Sequence, residues 1–361
     1  MSDVHPYASH GPVISIDSRT EGALARDLLR LDIEEGTMGL RTLVAHLHAV
    51  GPDSDGSTEQ LSYLDGQVVD IGRTIAVALG PPGGERQLFT GTISAIEVSF
   101  TEGGAPFVSV FAEDALMRLR LRQRTATYTD MSDADIVAEI AADHGLGSAC
   151  DAEGPTYPMV QQWEQSDLGF IRDRASRLNA EVWVDSDDVV HFADREQRTA
   201  ADLLLVQGNE LISVQARVDI AHQRSDIERR GWDDLAVAAI AESAGGDVVA
   251  AEVSGGRIGP DVVAEVFAES ARSCGRHDVL STAAAQAYAT ADMRRRARQF
   301  VTVDGVTAGT PDLVPGARLD LRRVGRPFEG DGYRVSHAHH SYDLVVGHRT
   351  RFRAERPAMA R

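Results

Sequence analysis

The sequence predicts a mainly β protein of the α+β class, with two small antiparallel β-barrel domains flanking a helix–helix–hairpin unit. Three observations predict it. Runs of alternating apolar and polar residues, separated by glycine turns, fill the first third of the chain and return in the last. Between them the apolar spacing changes to that of helices. At 361 residues the chain is long enough for two or three cores. The predicted domains are 1–125 (first barrel), 126–200 (middle unit) and 201–361 (second barrel), the last with a helical insertion at about 236–300.

In the first region, Arg41–His48 places Leu43, Ala45 and Leu47 on one face and Thr42, Val44, His46 and His48 on the other. Val68–Leu79, Leu88–Phe100 and Phe107–Phe111 continue the strand pattern. Gly51-Pro52-Asp53, the Gly80–Gly84 run and Glu102-Gly103-Gly104 are the turns between them.

The middle unit opens on Ser132-Asp133-Ala134-Asp135, a capping box. Ile136, Val137, Ile140 and Ala141 then share a helical face, and Gly145 is a natural stop. A second helix starts at Ser166-Asp167, with Leu168, Ile171, Ala175 and Leu178 at helical spacing. Glu181–Val184 and Val189–Phe192 flank Asp185-Ser186-Asp187-Asp188 as a hairpin.

The strand signal returns through Leu203, Leu211–Ile220 and Asp226–Trp232. Ala236–Ala287 then shows no steady period. Ser281–Phe300 is Ala-rich, lacks glycine and proline, and begins on a capping serine or threonine, so it predicts a helix. Gly316–Val324, Gly332–His340 and Gly347–Arg353 predict three final strands. No close internal repeat is present.

Composition removes several functions. The net charge is −19 and every basic residue other than histidine is arginine, so attraction to a phosphate backbone is not the expected main task. Arg118–Arg124 and Arg294–Arg298 are local basic clusters on helix-like stretches, read as solvated or interface faces. No apolar run has the length of a membrane span and no secretory leader is visible, so assembly in the cytoplasm is expected. Cys150 and Cys274 are two, far apart and outside any CxxC, which disfavours a disulfide framework or zinc ribbon.

Chemistry-bearing motifs are sparse. His337, His339, His340 and His348 crowd the C-terminal region. On a strand His337 and His339 share a face while His340 points the opposite way, so a metal site would need a ligand such as His348 from the next strand. His337, His339 and His348 are the only metal candidates, and sheet-surface or interface histidines are the favoured reading. No G-x-S-x-G elbow and no Walker-type loop occur. The loop Asp185–Asp188 lacks the glycine and closing glutamate of an EF-hand and reads as a solvated turn. No catalytic residue, cofactor or nucleic-acid partner is expected, and the interface residues are unknown.

Two stretches carry a family resemblance. Tyr128–Leu146 and Val160–Phe192 place a helix, a glutamine-containing strand, the helix start Gln165-Ser166-Asp167, an Arg/Leu-rich helix and a hairpin in order. Ala283–Arg356 adds the turns Gly309-Thr310-Pro311 and Pro315-Gly316. It continues with Gly332-Tyr333 and Val335 of one strand, His339 or His340, and a last strand from Gly347 to Phe352. This ordered set resembles the late control gene D family, the phage baseplate hubs and the hub part of type VI secretion VgrG proteins.

The resemblance implies a structural, non-enzymatic hub of a contractile phage-tail-like particle. Three copies would form a pseudo-six-fold ring, because two barrels in each chain adapt a three-fold spike to a six-fold tube. It implies Thr37–Phe111 and Leu203–Phe352 as the ring-facing barrels and Thr129–Phe192 as a peripheral wedge. The implied partners are two further copies, the inner tube protein, a separate spike protein, other baseplate proteins and a passing cargo, with no membrane. Two alternatives stand beside it: a VgrG-like type VI spike component, and a metal- or carboxylate-dependent cell-wall hydrolase.

Overall fold

A computed structural model of the chain describes residues 11–52, 59–81, 83–234, 236–253, 255–267, 272–276 and 281–360. The first β-region contributes seven strands: β1 (Val13–Ile16), β2 (Arg19–Thr20), β3 (Leu28–Gly36), β4 (Thr42–His48), β5 (Thr74–Leu79), β6 (Arg86–Ser99) and β7 (Phe107–Glu113). Alternation decides which side chains face inward. Leu43, Ala45 and Leu47 of β4 are buried, as expected, with Val108, Val110 and Ala112 of β7 beside them. The long strand β6 pairs with β5 through its first half and with β7 through its second, with a bulge between Ile93 and Ala95 where it turns.

The second region contributes β8 (Asp202–Val206), β9 (Leu211–Val218), β10 (Val301–Thr307), β11 (Arg318–Arg322), β12 (Gly330–Asp343) and β13 (Gly347–Arg356). Its core holds Leu205, Val303, Leu319, Tyr333, Phe352 and Ala354. The two regions were expected as separate barrels. Among the described residues they form one 13-stranded sheet, in the order β9-β10-β13-β12-β3-β4-β7-β6-β5-β1-β2, with β11 beside β12 and β8 beside β11.

The continuity comes from β12. Its first half pairs with β11, through Arg318↔Arg334 and Leu319↔Tyr333. Its second half pairs antiparallel with β3, from His337↔Gly36 to Asp343↔Arg30. One strand therefore belongs to both cores.

Two further strand expectations change. Only Thr74–Leu79 of Val68–Leu79 is strand; Val68–Arg73 is a turn closed by Arg73 Nη1, which donates to the carbonyls of Gln67 (2.9 Å) and Val68 (3.2 Å). Asp226–Asp233 leaves the second β-region altogether. It forms its own sheet with Ala238–Gly245 and, in parallel, Arg272–Arg276. The stretch read as aperiodic thus holds strands and short helices, and its residues 254, 268–271 and 277–280 lie outside the described residues. So do Asp53 and Pro82 of the expected turns.

The middle unit follows its caps. Helix α1 (Asp133–Asp143) begins at a reciprocal box between Ser132 and Asp135. Helix α2 (Asp167–Leu178) begins where Gly169 N–H donates to Ser166 Oγ (3.1 Å) and ends on Asn179 in the left-handed region. They pack Ile136, Ile140, Leu168 and Ile171 against the expected hairpin Glu181–Val184 and Val189–Ala193. A two-stranded ribbon, Gln123–Ser132 with Thr156–Ser166, completes the unit. Helix α3 (Thr282–Arg298), also as expected, touches three cores. It gives Ala284, Ala285 and Tyr288 to the middle unit, Ala289 and Met293 to the small sheet, and Ala297 to a cluster with Ile258 and Ala358.

Candidate functional surfaces

The histidines are strand residues whose partners are set by register. His337 and His339 share a face, and each meets a carboxylate of β3: His337 Nε2 lies 2.8 Å from Glu34 Oε1, and His339 Nε2 lies 2.9 Å from Asp32 Oδ1. Burial alone would raise the Asp32 pKa, but His339 and Arg30 outweigh it and hold the carboxyl well below its ordinary range.

His340 points to the other face. Its Nδ1 lies 3.2 Å from His348 Nε2 and 3.1 Å from Thr350 Oγ1. Register puts His348 opposite Tyr342, on the His340 side, so it cannot join His337 and His339. Burial pushes the pKa of His340 down to about 3 and that of His348 down to about 4, leaving both rings neutral near pH 7. Among the described residues no three His, Cys, Asp or Glu side chains converge as metal ligands.

The acidic loop closes on itself. Asp185 Oδ1 accepts from the N–H groups of Asp187 (2.9 Å) and Val189 (3.1 Å), and Asp185 Oδ2 lies 2.9 Å from His191 Nε2. Cys150 and Cys274 are free thiols, and burial pushes Cys150 up to about 12, away from thiolate reactivity.

A buried ion cluster joins the parts of the molecule. Glu35 of β3 accepts from Arg41 Nη2 (2.8 Å) and from Arg198 Nη2 (2.5 Å), and Arg198 Nη1 also reaches Glu181 Oε2 (3.5 Å). Burial opposes the Glu35 charge, yet Arg41 and Arg198 more than offset it and the pKa is lowered. Arg172 of α2 donates to the carbonyls of Met38 (2.8 Å) and Gly39 (2.9 Å), in the loop after β3. Sequence reasoning missed this cluster. Its one signal was an acid at the core-facing position of the alternation Leu31, Ile33, Glu35.

The outer surface offers several exposed contact sites. Trp163 (66% exposed) and Met159 lie on the outer face of the ribbon, beside Thr127 and Thr129. The β12–β13 hairpin ends in Leu344-Val345-Val346, with Val345 92% exposed. Strand β9 is a sheet edge, paired on one side among the described residues. Arg118 and Arg120 lie on a short helix, Met117–Leu121, and pair with Asp188 and Glu113, so that basic cluster is largely neutralised at the surface.

This architecture is similar to that of solved phage tail proteins. The 43 kDa tail protein of prophage MuSo2 from Shewanella oneidensis is similar over 97% of this chain and 99% of its own, with 12% identity and a TM-score of 0.67. A tail protein from Neisseria meningitidis is similar over 96% of this chain and 97% of its own, with 13% identity and a TM-score of 0.65. An Escherichia coli component of the type VI secretion system is similar over 92% of this chain and 73% of its own, at 13% identity and a TM-score of 0.57. Its structure is described as similar to the T4 bacteriophage tail proteins gp27 and gp5.

By sequence, the family model described as the Alg8 N-terminal domain matches residues 41–343, and the chain belongs to that family. No curated protein matches the sequence. The structural similarities show a fold like that of tail proteins and of a type VI secretion component.

Proposed function

We propose that this chain is a structural hub of a contractile phage-tail-like particle, a homotrimer that adapts a three-fold spike to a six-fold inner tube and does no chemistry. One observation carries the reading: two β-regions with separate cores are welded into one sheet through β12 and β3. A ring in which three chains present six docking surfaces needs two modules per chain held at one fixed angle. Seven antiparallel residue pairs between β12 and β3 supply such a joint. The buried Glu35–Arg41–Arg198 cluster braces it from the side of the middle unit.

The tail-protein fold supports the same role, as does the resemblance of Tyr128–Leu146 and Ala283–Arg356 to late control gene D proteins. The similarity to the type VI component favours a VgrG-like hub as the second reading. In both readings the middle unit faces outward, as a wedge against other baseplate proteins.

Native mass spectrometry of the purified chain, alone and mixed with a spike protein of a contractile tail particle from the same genome, tests the ring. The expected mass is that of three copies, free or spike-bound. A monomer at every concentration and with the spike present overturns the proposal.

A further inference from the structure

The two β-regions use one strand topology twice, although the sequence shows no close repeat. In the first region the sheet order is β3-β4-β7-β6-β5-β1; in the second it is β9-β10-β13-β12-β11-β8. With the two-residue β2 left out, the strands correspond one to one in chain order as well. The departure is the first strand of each series: β1 runs antiparallel to β5, and β8 parallel to β11. The irregularities recur with the strands. Strand β6 has its bulge between Ile93 and Ala95, and β12 between Val335 and His337. Strand β3 shifts register between Leu28 and Arg30, and β9 between Leu211 and Ser213. Ile93 donates its N–H to the Arg73 carbonyl and accepts from the Gly72 N–H (both 2.9 Å); Val335 does the same with Ala317 and Gly316 (both 2.9 Å).

This repetition gives the joint an unpaired counterpart. Within the chain, β3 of the first module pairs with the second half of β12. The corresponding strands are β9 and the second half of β6, and each has one edge with no strand beside it among the described residues. Side-chain exposure marks the same difference. Counted from the bulges, Val98 of β6 stands where His340 stands in β12, yet Val98 is 38% exposed and His340 3%. Val214, Ala216 and Val218 of β9 are half-buried, whereas Leu31, Ile33 and Glu35, their counterparts in β3, are buried.

We propose that β9 of one copy pairs antiparallel with the second half of β6 in the next copy, so that the joint inside each chain is repeated between chains. The register carries over from β12 and β3. His340 opposite Ile33 becomes Val98 opposite Ala216, and His339 opposite Glu34 becomes Glu97 opposite Arg217. The first pair covers apolar surface; the second sets opposite charges across the strands, and both of its side chains are exposed in the single chain. The contact is heterologous, as a closed ring of successive copies requires. It rests on the hub reading and assigns that trimer a particular pair of edges.

The test uses the full chain with Ser99→Cys and Gln215→Cys, which the same register sets opposite each other, in a Cys274→Ser background that removes an exposed thiol. Paired strand residues lie about 4.5–5.5 Å apart between α-carbons, within reach of a disulfide. Mild oxidation should give covalent dimers and trimers on a non-reducing denaturing gel, and neither single-cysteine variant should. Trimers seen by native mass spectrometry that fail to cross-link overturn this pairing and leave the hub reading standing; monomers alone overturn both. Arg217→Glu should lower the trimer fraction at fixed concentration several-fold, and adding Glu97→Arg should restore it. A trimer fraction unchanged in Arg217→Glu, or not restored in the double variant, also overturns the pairing.

Discussion

Glu35 shows how one residue can be both a break in the pattern and the reason the pattern holds. It occupies an inward position that alternation reserves for an apolar side chain, and it is stable there because two guanidiniums meet it. The buried pair His340 and His348 makes the opposite choice and stays uncharged. Their folded pKa values, about 3 and about 4, lie below the ordinary 6.5, so the unfolded chain binds protons that the folded chain refuses. The stability they contribute is complete above pH 6.5 and is lost as pH falls towards 4 and then 3. Each proton taken up costs about 1.4 kcal/mol per pH unit across that window. Urea denaturation of the wild type and of His340→Gln from pH 7 to pH 4 should give curves that converge as the pH falls. Parallel curves would show that the ring is not held neutral by the fold.

At the scale of elements, strand β6 is the most constrained. It changes partner midway, and at that crossing Gly91 lets two backbones meet. A β-carbon there would overlap the Glu113 carbonyl oxygen and lie 2.6 Å from Phe89 Cζ. Backbone and a buried ring cannot both retreat, so Gly91→Ala should destabilise the protein by roughly 2 kcal/mol or more. Differential scanning fluorimetry would show it as a clear fall in melting temperature, and an unchanged value would mean that the crossing is looser than drawn. Strand β3 teaches a related lesson. A register shift between Leu28 and Arg30 breaks its alternation, so Leu28 and Leu31 fall at a helix-like spacing of three before Leu31, Ile33 and Glu35 resume a period of two. No sequence period announces such a strand. It is nevertheless the element that joins the two halves.

Across the whole molecule, separate cores are tied by shared elements: β12 serves two and α3 serves three. Losing either would expose apolar surface on several cores at once, so unfolding of the parts should be coupled. Scanning calorimetry should therefore show one dominant transition, with a calorimetric enthalpy close to the van't Hoff value. Two resolved transitions would mean that the β-regions unfold independently and that the joint is weaker than its pairing suggests. A rigid joint is also what a ring of repeated modules requires, which links this measurement to the proposed hub.

What the sequence determined by itself was local. Period and capping placed β4, α1, α2, α3 and the Glu181–Ala193 hairpin, because alternation, helical spacing and serine caps act within a few residues. The histidine faces were legible too, since one strand's pleat decides them. Tertiary structure decided everything that depended on which strand lies beside which. It merged two expected barrels into one sheet, moved Asp226–Asp233 to a sheet of its own, and set His348 against His340. It also brought Glu35 to Arg198. Partners like these lie far apart along the chain, and their meeting is fixed by strand register and packing, which no local pattern encodes.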